Sequence, residues 1–517
     1  MTERNVYGIL VGRNQPDGVP VGMEKNMYER FYYDKEKLPR PVLSGHEDWI
    51  NLYYKAWETA FKNVEYIDKP GWKNLLTCMP GVGITWQWDS CIMTFITNYS
   101  NGTLTAFNNL DNLYRLRRES DGFMSMAYTI ETEEPTYGER INPPLMAWSE
   151  WEHYLVTGDD SRFEEVLPAL EGIYSFIENK RRRPSCDLYW FEDSGSSGMD
   201  NSPRAGYFAD HLDGSDVCHI DLACQQALSA KCMAKIFAHL GNEEKKAFYE
   251  AEQKRICDLI NERHWSDRAS WYFDFFQRSE RNQKVKFINS KTAAAFWTLL
   301  CGAAKFDRRE AVKNHMFNVN EFYTKVPFAS LSKDDPNYDP TGGYWLGGVW
   351  PPTNYAAIKG LCETGYRELA RDATVKVLEA MCAVDADPSF GGIWECYAPE
   401  DHRPSTTEEG GYVRDAFVGW GGLAPITLLI ENIIGLEFNA EENTVTFNLH
   451  GRDACGLENM IFNGNNVSIV CREYQPFRGK TIIETEAEKP FKLVVNTKYL
   501  WDPAVLEIPA GKATFNI

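Results

Sequence analysis

Residues 195–204, GSSGMDNSPR, set Asp200 and Arg204 among glycine, serine and proline. Such a stretch is neither a helix interior nor a central strand, so both charged groups are presented from a turn. Related clusters recur along the chain. GVGITWQWDS (81–90) carries Trp86, Trp88 and Asp89, and GGYWLGGVWPPTNY (342–355) carries Tyr344, Trp345 and Trp350. GGIWECYAPE (391–400) carries Trp394 and Glu395, and TTEEGGYVRDAFVGWGG (406–422) carries Glu408, Glu409 and Trp420. Taken singly, each has a plain structural reading: an aspartate bonding its own turn, or a tryptophan filling a gap between helices. Taken together, tryptophan beside carboxylate beside glycine points to sugar chemistry. A pyranose has an apolar face that stacks on an aromatic ring and a rim of hydroxyls that bond carboxylates and arginine. Glycosidic bonds are cleaved by two carboxyl groups, one protonating the leaving oxygen and the other acting on the opposite face of the ring.

Other chemistries lack their residues. There is no GxxxxGK[ST] loop, no strand–GxGxxG–helix unit, no GxSxG elbow and no HExxH helix. The nine histidines are scattered, and His153 and His219 read as packing residues inside helices. No metal or cofactor is implied. Two rival readings stay open: a sugar lyase or epimerase using Tyr397 or His402 as base, and a non-catalytic carbohydrate-binding protein, which would have no use for both carboxylates.

The elements that must position these groups are mostly helical. From 48 to 435, segments such as WINLYYKAWETAFKNV (49–64), RFEEVLPALEGIYSFIENKRR (162–182) and RELARDATVKVLEAMCAV (367–384) repeat apolar residues at three- and four-residue steps. PPLMAWSEWEHYLVTG (143–158) reads as a helix with prolines just inside its start and a glycine just past its end. Roughly a dozen helices are expected, in pairs joined alternately by short and long connections. The long ones, 64–88, 119–142, 184–215, 321–352 and 385–415, hold the tryptophans and acids, and a helical ring would converge them on one cavity. After 436 the period changes to two, in strands such as NTVTFNLH, NNVSIVCREY and KTIIETEA. The expected organisation is an extended N-terminal segment (1–47) packing on a helical barrel (48–435), followed by a small all-β sandwich (436–517).

With 517 residues, 43% of them hydrophobic, the chain has ample material for a large core. A net charge of -20 argues against nucleic acid and against an anionic membrane surface as partners. The N-terminal stretch has no signal-peptide pattern, no apolar run is long enough to span a bilayer, and the 13 cysteines form no CxxC pair. They read as reduced thiols of a cytoplasmic protein.

The ordered set of motifs resembles the inverting glycoside hydrolases with an (α/α)6 barrel: trehalases, processing α-glucosidases and mannosylglycerate hydrolases. WQWDS (86–90) is similar to the W-D-S/A segment that these enzymes place at the glycone subsite. SGMDNSPR (197–204) resembles their general-acid loop, and GGVWPPTNYAAIKGL (347–361) their G-x-[IV]-W-x-x-x-N-Y segment. WECYAPE (394–400) is similar to the stretch carrying the general base, and FVGWGG (417–422) takes the place of an F-x-W-[ST] segment. The resemblance implies a mainly α fold, an (α/α)6 barrel, with Asp200 as general acid and Glu395 as general base. It implies that Asp89 binds hydroxyls of the cleaved sugar, that Arg204 holds that sugar or tunes Asp200, and that Trp88, Trp350, Trp394 and Trp420 wall the pocket. The substrate would be an oligosaccharide or small α-glycoside. Gln87, the long link EDHRPSTTEEGG (400–411) and Gly421 depart from the trehalase pattern and argue against trehalose itself.

Overall fold

The structure, a computed structural model, describes residues 31–204, 214, 216–276, 286–450, 453–475, 480–497 and 502–517. Residues 1–30 of the expected N-terminal segment therefore lie outside the described residues. The chain enters through a short strand, β1 (Arg40–Leu43). Twelve helices follow among the described residues: α1 (Glu47–Lys62), α2 (Gln87–Thr97), α3 (Phe107–Leu116), α4 (Met146–Thr157), α5 (Arg162–Lys180), α6 (Ile220–His239), α7 (Glu243–Arg263), α8 (Trp297–Leu300), α9 (Phe306–Met316), α10 (Pro351–Glu363), α11 (Arg367–Ala386) and a π-wound α12 (Leu423–Ile434).

Burial sorts these helices into two kinds. Every residue of α2 and α8 is buried, as is nearly every residue of α6 and α12. The odd-numbered helices other than α3, seven of whose ten residues are buried, are covered on one side only. In α1 the buried residues Trp49, Leu52, Tyr53, Ala56, Trp57, Ala60 and Phe61 form a single stripe, and α9 buries only Val312 and Met316. A helix buried all round shows no amphipathic period, so WQWDSCIMTFIT reads as a loop end in the sequence although Asp89 stands in the first turn of α2. The α4 expectation is half met: Gly158 closes the helix in the left-handed conformation (φ 75°), but Pro143 and Pro144 precede the helix, whose first residue is Met146. The even-numbered helices touch in succession: α2 packs on α4, α4 on α6, α6 on α8, α8 on α10, α10 on α12, and α12 on α2.

Gly435 (φ 92°) turns the chain out of α12 into an all-β region. Its strands are β2 (Leu436–Asn439), β3 (Thr444–Leu449), β4 (Cys455–Phe462), β5 (Asn465–Gln475), β6 (Lys480–Ala487), β7 (Phe491–Thr497), β8 (Ala504–Ile508) and β9 (Gly511–Asn516). Four of them form a sheet in the order β2-β3-β7-β8, in which β3 and β7 run parallel. The other sheet has the order β1-β4-β5-β6-β9, so the strand that precedes the first helix completes its edge. The sheets meet through aromatic rings: Phe462 lies 5.4 Å from Phe438 and 6.4 Å from Phe491. The same N-terminal stretch is held to α1, where the Tyr53 hydroxyl donates to the Pro39 carbonyl at 2.8 Å.

Two contacts among several help to fix the connection 119–142. Ile84–Trp86 pairs antiparallel with Ala127–Thr129, which ties the connection to the chain entering α2. At Gly122 (φ +82°) the backbone rests on α5 so closely that a β carbon would stand 2.0 Å from the Gly172 carbonyl oxygen. Gly122→Ala is expected to cost about 2–4 kcal/mol, because both the φ and the contact forbid it. Gly172→Ala, whose β carbon would meet only a 3.4 Å contact inside a helix, should stay within about 1 kcal/mol of the parent. Urea midpoints of the two variants check the contrast.

Candidate active site

Asp89 is the third residue of α2 and is 5% exposed. Its Oδ1 lies 3.5 Å from the Cys78 thiol, which donates to it. Burial pushes the Asp89 carboxyl up to about 7; the Cys78 and backbone hydrogen bonds oppose this, while the charges of Glu395 and Asp200 add to it. Three carboxylates separated by more than a hundred residues in sequence thus share one electrostatic site.

Asp200 is half-buried on a run of tight turns, in which Ser197 donates to Ser194 O, Gly198 to Gly195 O and Ser202 to Met199 O. The Asp193 carboxylate caps the first of them through the Ser196 N–H (2.7 Å) and hydroxyl (2.9 Å). Gly198 (φ +77°) lies on the face of Trp88, where a β carbon would come within 2.6 Å of the ring. The tryptophan beside Asp89 is therefore the floor under the loop of Asp200. Tyr137 also feels the charge of Asp200 and stacks on Trp86, with ring centroids 5.5 Å apart.

Arg204 departs from the first of its two expected roles, holding the sugar. It is 1% exposed, and its five N–H donors all have protein partners. They reach Asp274 at 2.7 and 3.0 Å, Asp221 at 2.6 Å twice, and the Met199 sulfur at 3.5 Å. Against the burial that would raise it, the guanidinium holds the Asp274 carboxyl below the ordinary range. No donor is left for a sugar. Arg204 instead ties the end of the Asp200 loop to the first turn of α6, where Asp221 sits.

Glu395 is 6% exposed. Its own N–H donates to Arg414 O (2.9 Å), and its carboxylate accepts the Tyr344 hydroxyl at 3.1 Å and the Arg414 N–H at 3.3 Å. Burial raises the Glu395 carboxyl, opposed by the Arg414 charge and by these two hydrogen bonds. The Trp420 indole N–H donates to the Glu395 carbonyl at 2.9 Å. Trp420 stands edge-on to Trp88 (5.6 Å) and to Trp350 (5.8 Å). Trp350 is 1% exposed, stacked flat on Trp345 at 4.0 Å, so it backs the site rather than walling it. Trp394 is half-buried at the rim beside Phe390 and Tyr412, with its indole N–H on Gly391 O at 2.7 Å.

The departures from the trehalase pattern have structural reasons. The Gln87 amide donates to Pro143 O at 3.2 Å, bracing the entry to α4. At Gly421 a β carbon would stand 2.8 Å from Ile393, next to Trp394 and Glu395. The link 400–411 folds back so that Thr406 bridges Tyr412, and it carries Arg414 to Glu395. Sequence reasoning missed Cys78, Arg414 and the Tyr344 hydroxyl as neighbours of the carboxylates, since their only signal was membership of the same connections. Tyr397, one of the rival bases, is buried with its hydroxyl accepting the Trp394 N–H at 3.2 Å, and burial raises its pKa. Among the described residues no group of three or more His, Cys, Asp or Glu is placed to hold a metal ion, and no helix is long and apolar enough to cross a membrane.

A family model for the mannosylglycerate hydrolase MGH1-like glycoside hydrolase domain matches residues 84–412. An uncharacterized protein of Borreliella burgdorferi is 28% identical over 510 residues, covering 95% of this chain and 99% of its own. The mannosyl-oligosaccharide glucosidase of Arabidopsis thaliana is 37% identical over 481 residues, covering 77% of this chain. This chain spans about half of that glucosidase's length (52%). In fold the chain is similar to the mannosylglycerate hydrolase of Thermus thermophilus solved with Tris and D-glycerate, with a TM-score of 0.56 at 17% identity, over 72% of this chain and 99% of that one.

Two stability measurements follow. Arg204→Met leaves two buried carboxylates without their partner and should cost about 3–5 kcal/mol in chemical denaturation. For Asp89, the native carboxyl keeps its proton up to about 7, whereas the unfolded chain releases it near 3.8. Stability therefore falls as pH rises through that window. Asp89→Asn should be more stable than the parent at pH 8, by at most about 4 kcal/mol, and the gain should vanish near pH 4.

Proposed function

The chain belongs to the mannosylglycerate hydrolase MGH1-like glycoside hydrolase family, and on that premise we propose that it is an exo-acting, inverting hydrolase of α-linked glucosides or related α-glycosides. Asp200 is the general acid, protonating the glycosidic oxygen. Glu395 is the general base, taking a proton from the water that attacks the anomeric carbon from the other face. Asp89 bonds hydroxyls of the cleaved sugar, while Trp88, Trp420 and Trp394 supply its aromatic walls. The observation that carries this reading is the meeting of Asp89, Asp200 and Glu395, each from a different part of the chain, in one largely buried site beside Trp88 and Trp420. Glu395 has two donors and a nearby arginine, which favour the ionised state a base needs.

The leaving group falls on the side of Asp200, where Trp86 and Tyr137 stack. Arg140, the cation of that connection, is paired with Asp193 at 2.8 Å. A sugar leaving group suits such an aromatic wall better than an anionic one does. A closed (α/α)6 barrel from 48 to 435 is supported by the succession of contacts from α2 round to α12 and back to α2. Its sites would lie where the even-numbered helices begin, as Asp89, Asp221 and Trp350 do. The β region from 436 would then buttress the outside. All thirteen cysteines are free thiols, which suits a cytoplasmic location.

Proton NMR of the protein with α-linked disaccharides and p-nitrophenyl α-glycosides tests the reading: the β-anomer should appear first. Asp200→Asn and Glu395→Gln should each lose roughly 10²–10⁴-fold in kcat or more. Parent-like turnover of an unactivated glycoside by either variant, or first appearance of the α-anomer, would overturn the assigned roles.

A further inference from the structure

Tyr344 has a backbone φ of +64°, in the left-handed region that a bulky side chain seldom adopts. Strained residues of this kind persist where their surroundings over-determine them and the strain serves a site. Here the surroundings are unusually complete. The Tyr344 N–H donates to Thr406 O at 2.7 Å, and its carbonyl accepts the Trp350 indole N–H and the Gly348 N–H, both at 3.1 Å. The glycines around it leave the needed room: a β carbon on Gly348 would stand 2.4 Å from the Tyr344 carbonyl oxygen, and one on Gly342 1.9 Å from Ser405 Oγ.

The peptides on either side of Tyr344 are both held by one side chain. The Asn201 amide donates to Gly343 O at 3.0 Å and accepts the Trp345 N–H at 2.8 Å. Asn201 directly follows Asp200, while the Tyr344 hydroxyl donates to Glu395 at 3.1 Å. The loop of one carboxylate is thus linked to the other carboxylate through a single amide and a single phenol, across 142 and then 51 residues of sequence.

We infer that Asn201 and Tyr344 form a bracket that sets the loop of Asp200 against Glu395, with Tyr344 the positioning residue for Glu395 and Asn201 acting through it. The inference rests on the acid and base roles proposed above. Arg414, Asp89, Cys78 and Cys396 also face Glu395 electrostatically, so the bracket is one contribution among several. Its direction is defined: a phenol donating to the carboxylate favours the ionised form, so its removal must raise the pH at which Glu395 ionises.

The test reads Glu395 directly, by carbon NMR titration of protein labelled at glutamate side-chain carboxyls, with the resonance assigned through Glu395→Gln. In parallel, the pH profile of kcat/KM is recorded on an aryl α-glycoside. Tyr344→Phe should move the Glu395 midpoint and the acid limb of the profile up by about one pH unit. The rate would then be roughly tenfold lower below that limb and close to the parent above it. Asn201→Ala should shift both in the same direction, and the double variant should shift them no further than Tyr344→Phe alone. Should Asn201→Ala not fold by circular dichroism, Asn201→Leu, close in size and without donor, acceptor or charge, replaces it. An unmoved Glu395 midpoint in Tyr344→Phe, a uniform loss at all pH values, or additive shifts in the double variant would overturn the bracket. If the parent protein cleaves no glycoside, the proposed function fails, while the NMR titration still decides the bracket.

Discussion

Three carboxylates drawn from distant parts of the chain share one poorly solvated site, and like charges so placed repel one another and lack water to stabilise them. Much of the surrounding architecture can be understood as what opposes that cost. Asp89 receives a thiol and stands in the first turn of α2, where the helix dipole favours an anion. Glu395 receives a phenol, a backbone N–H and the field of Arg414. Asp200 is left the most exposed of the three, on a loop that its neighbours hold rigid.

That rigidity is supplied by groups other than the three carboxylates. Arg204 joins the loop to α6 through two buried aspartates, Asn201 joins it to the turn of Tyr344, and Gly198 lays it on Trp88. A loop with so little apolar content cannot be ordered by hydrophobic burial alone, so polar side chains take that part, above all Arg204 with its five donors used. The tryptophans divide in the same way. Trp88 and Trp420 lie against the carboxylates, whereas Trp345 and Trp350 form a flat stack behind them that sets their depth.

Two kinds of helix follow from the same demand. Helices buried on all sides, such as α2 and α12, carry site residues at or just before their starts, and half-covered helices such as α1 and α7 shield them from solvent. The β region shares the continuous core of the helices, and the strand Arg40–Leu43 completes one of its sheets.

Much of this was legible in the sequence. The period of three to four in the half-covered helices, the change to period two after 436, and the company kept by Trp88, Asp89, Asp200, Trp394, Glu395 and Trp420 follow from residue types and local spacing, which the chain carries wherever it folds. The helices α2 and α9 were not, because full burial and a nearly polar surface each erase the amphipathic signal. Nor was the part of Arg204: an arginine beside a candidate acid reads the same in sequence whether it faces a ligand or a pair of buried aspartates. Asp221 and Asp274 lie 17 and 70 residues from it, and Cys78, Tyr344 and Arg414 meet their carboxylates over comparable gaps. Which groups are neutralised, and which are left to act, depends on distances between segments that local spacing does not encode; only the packing of the helices decides them.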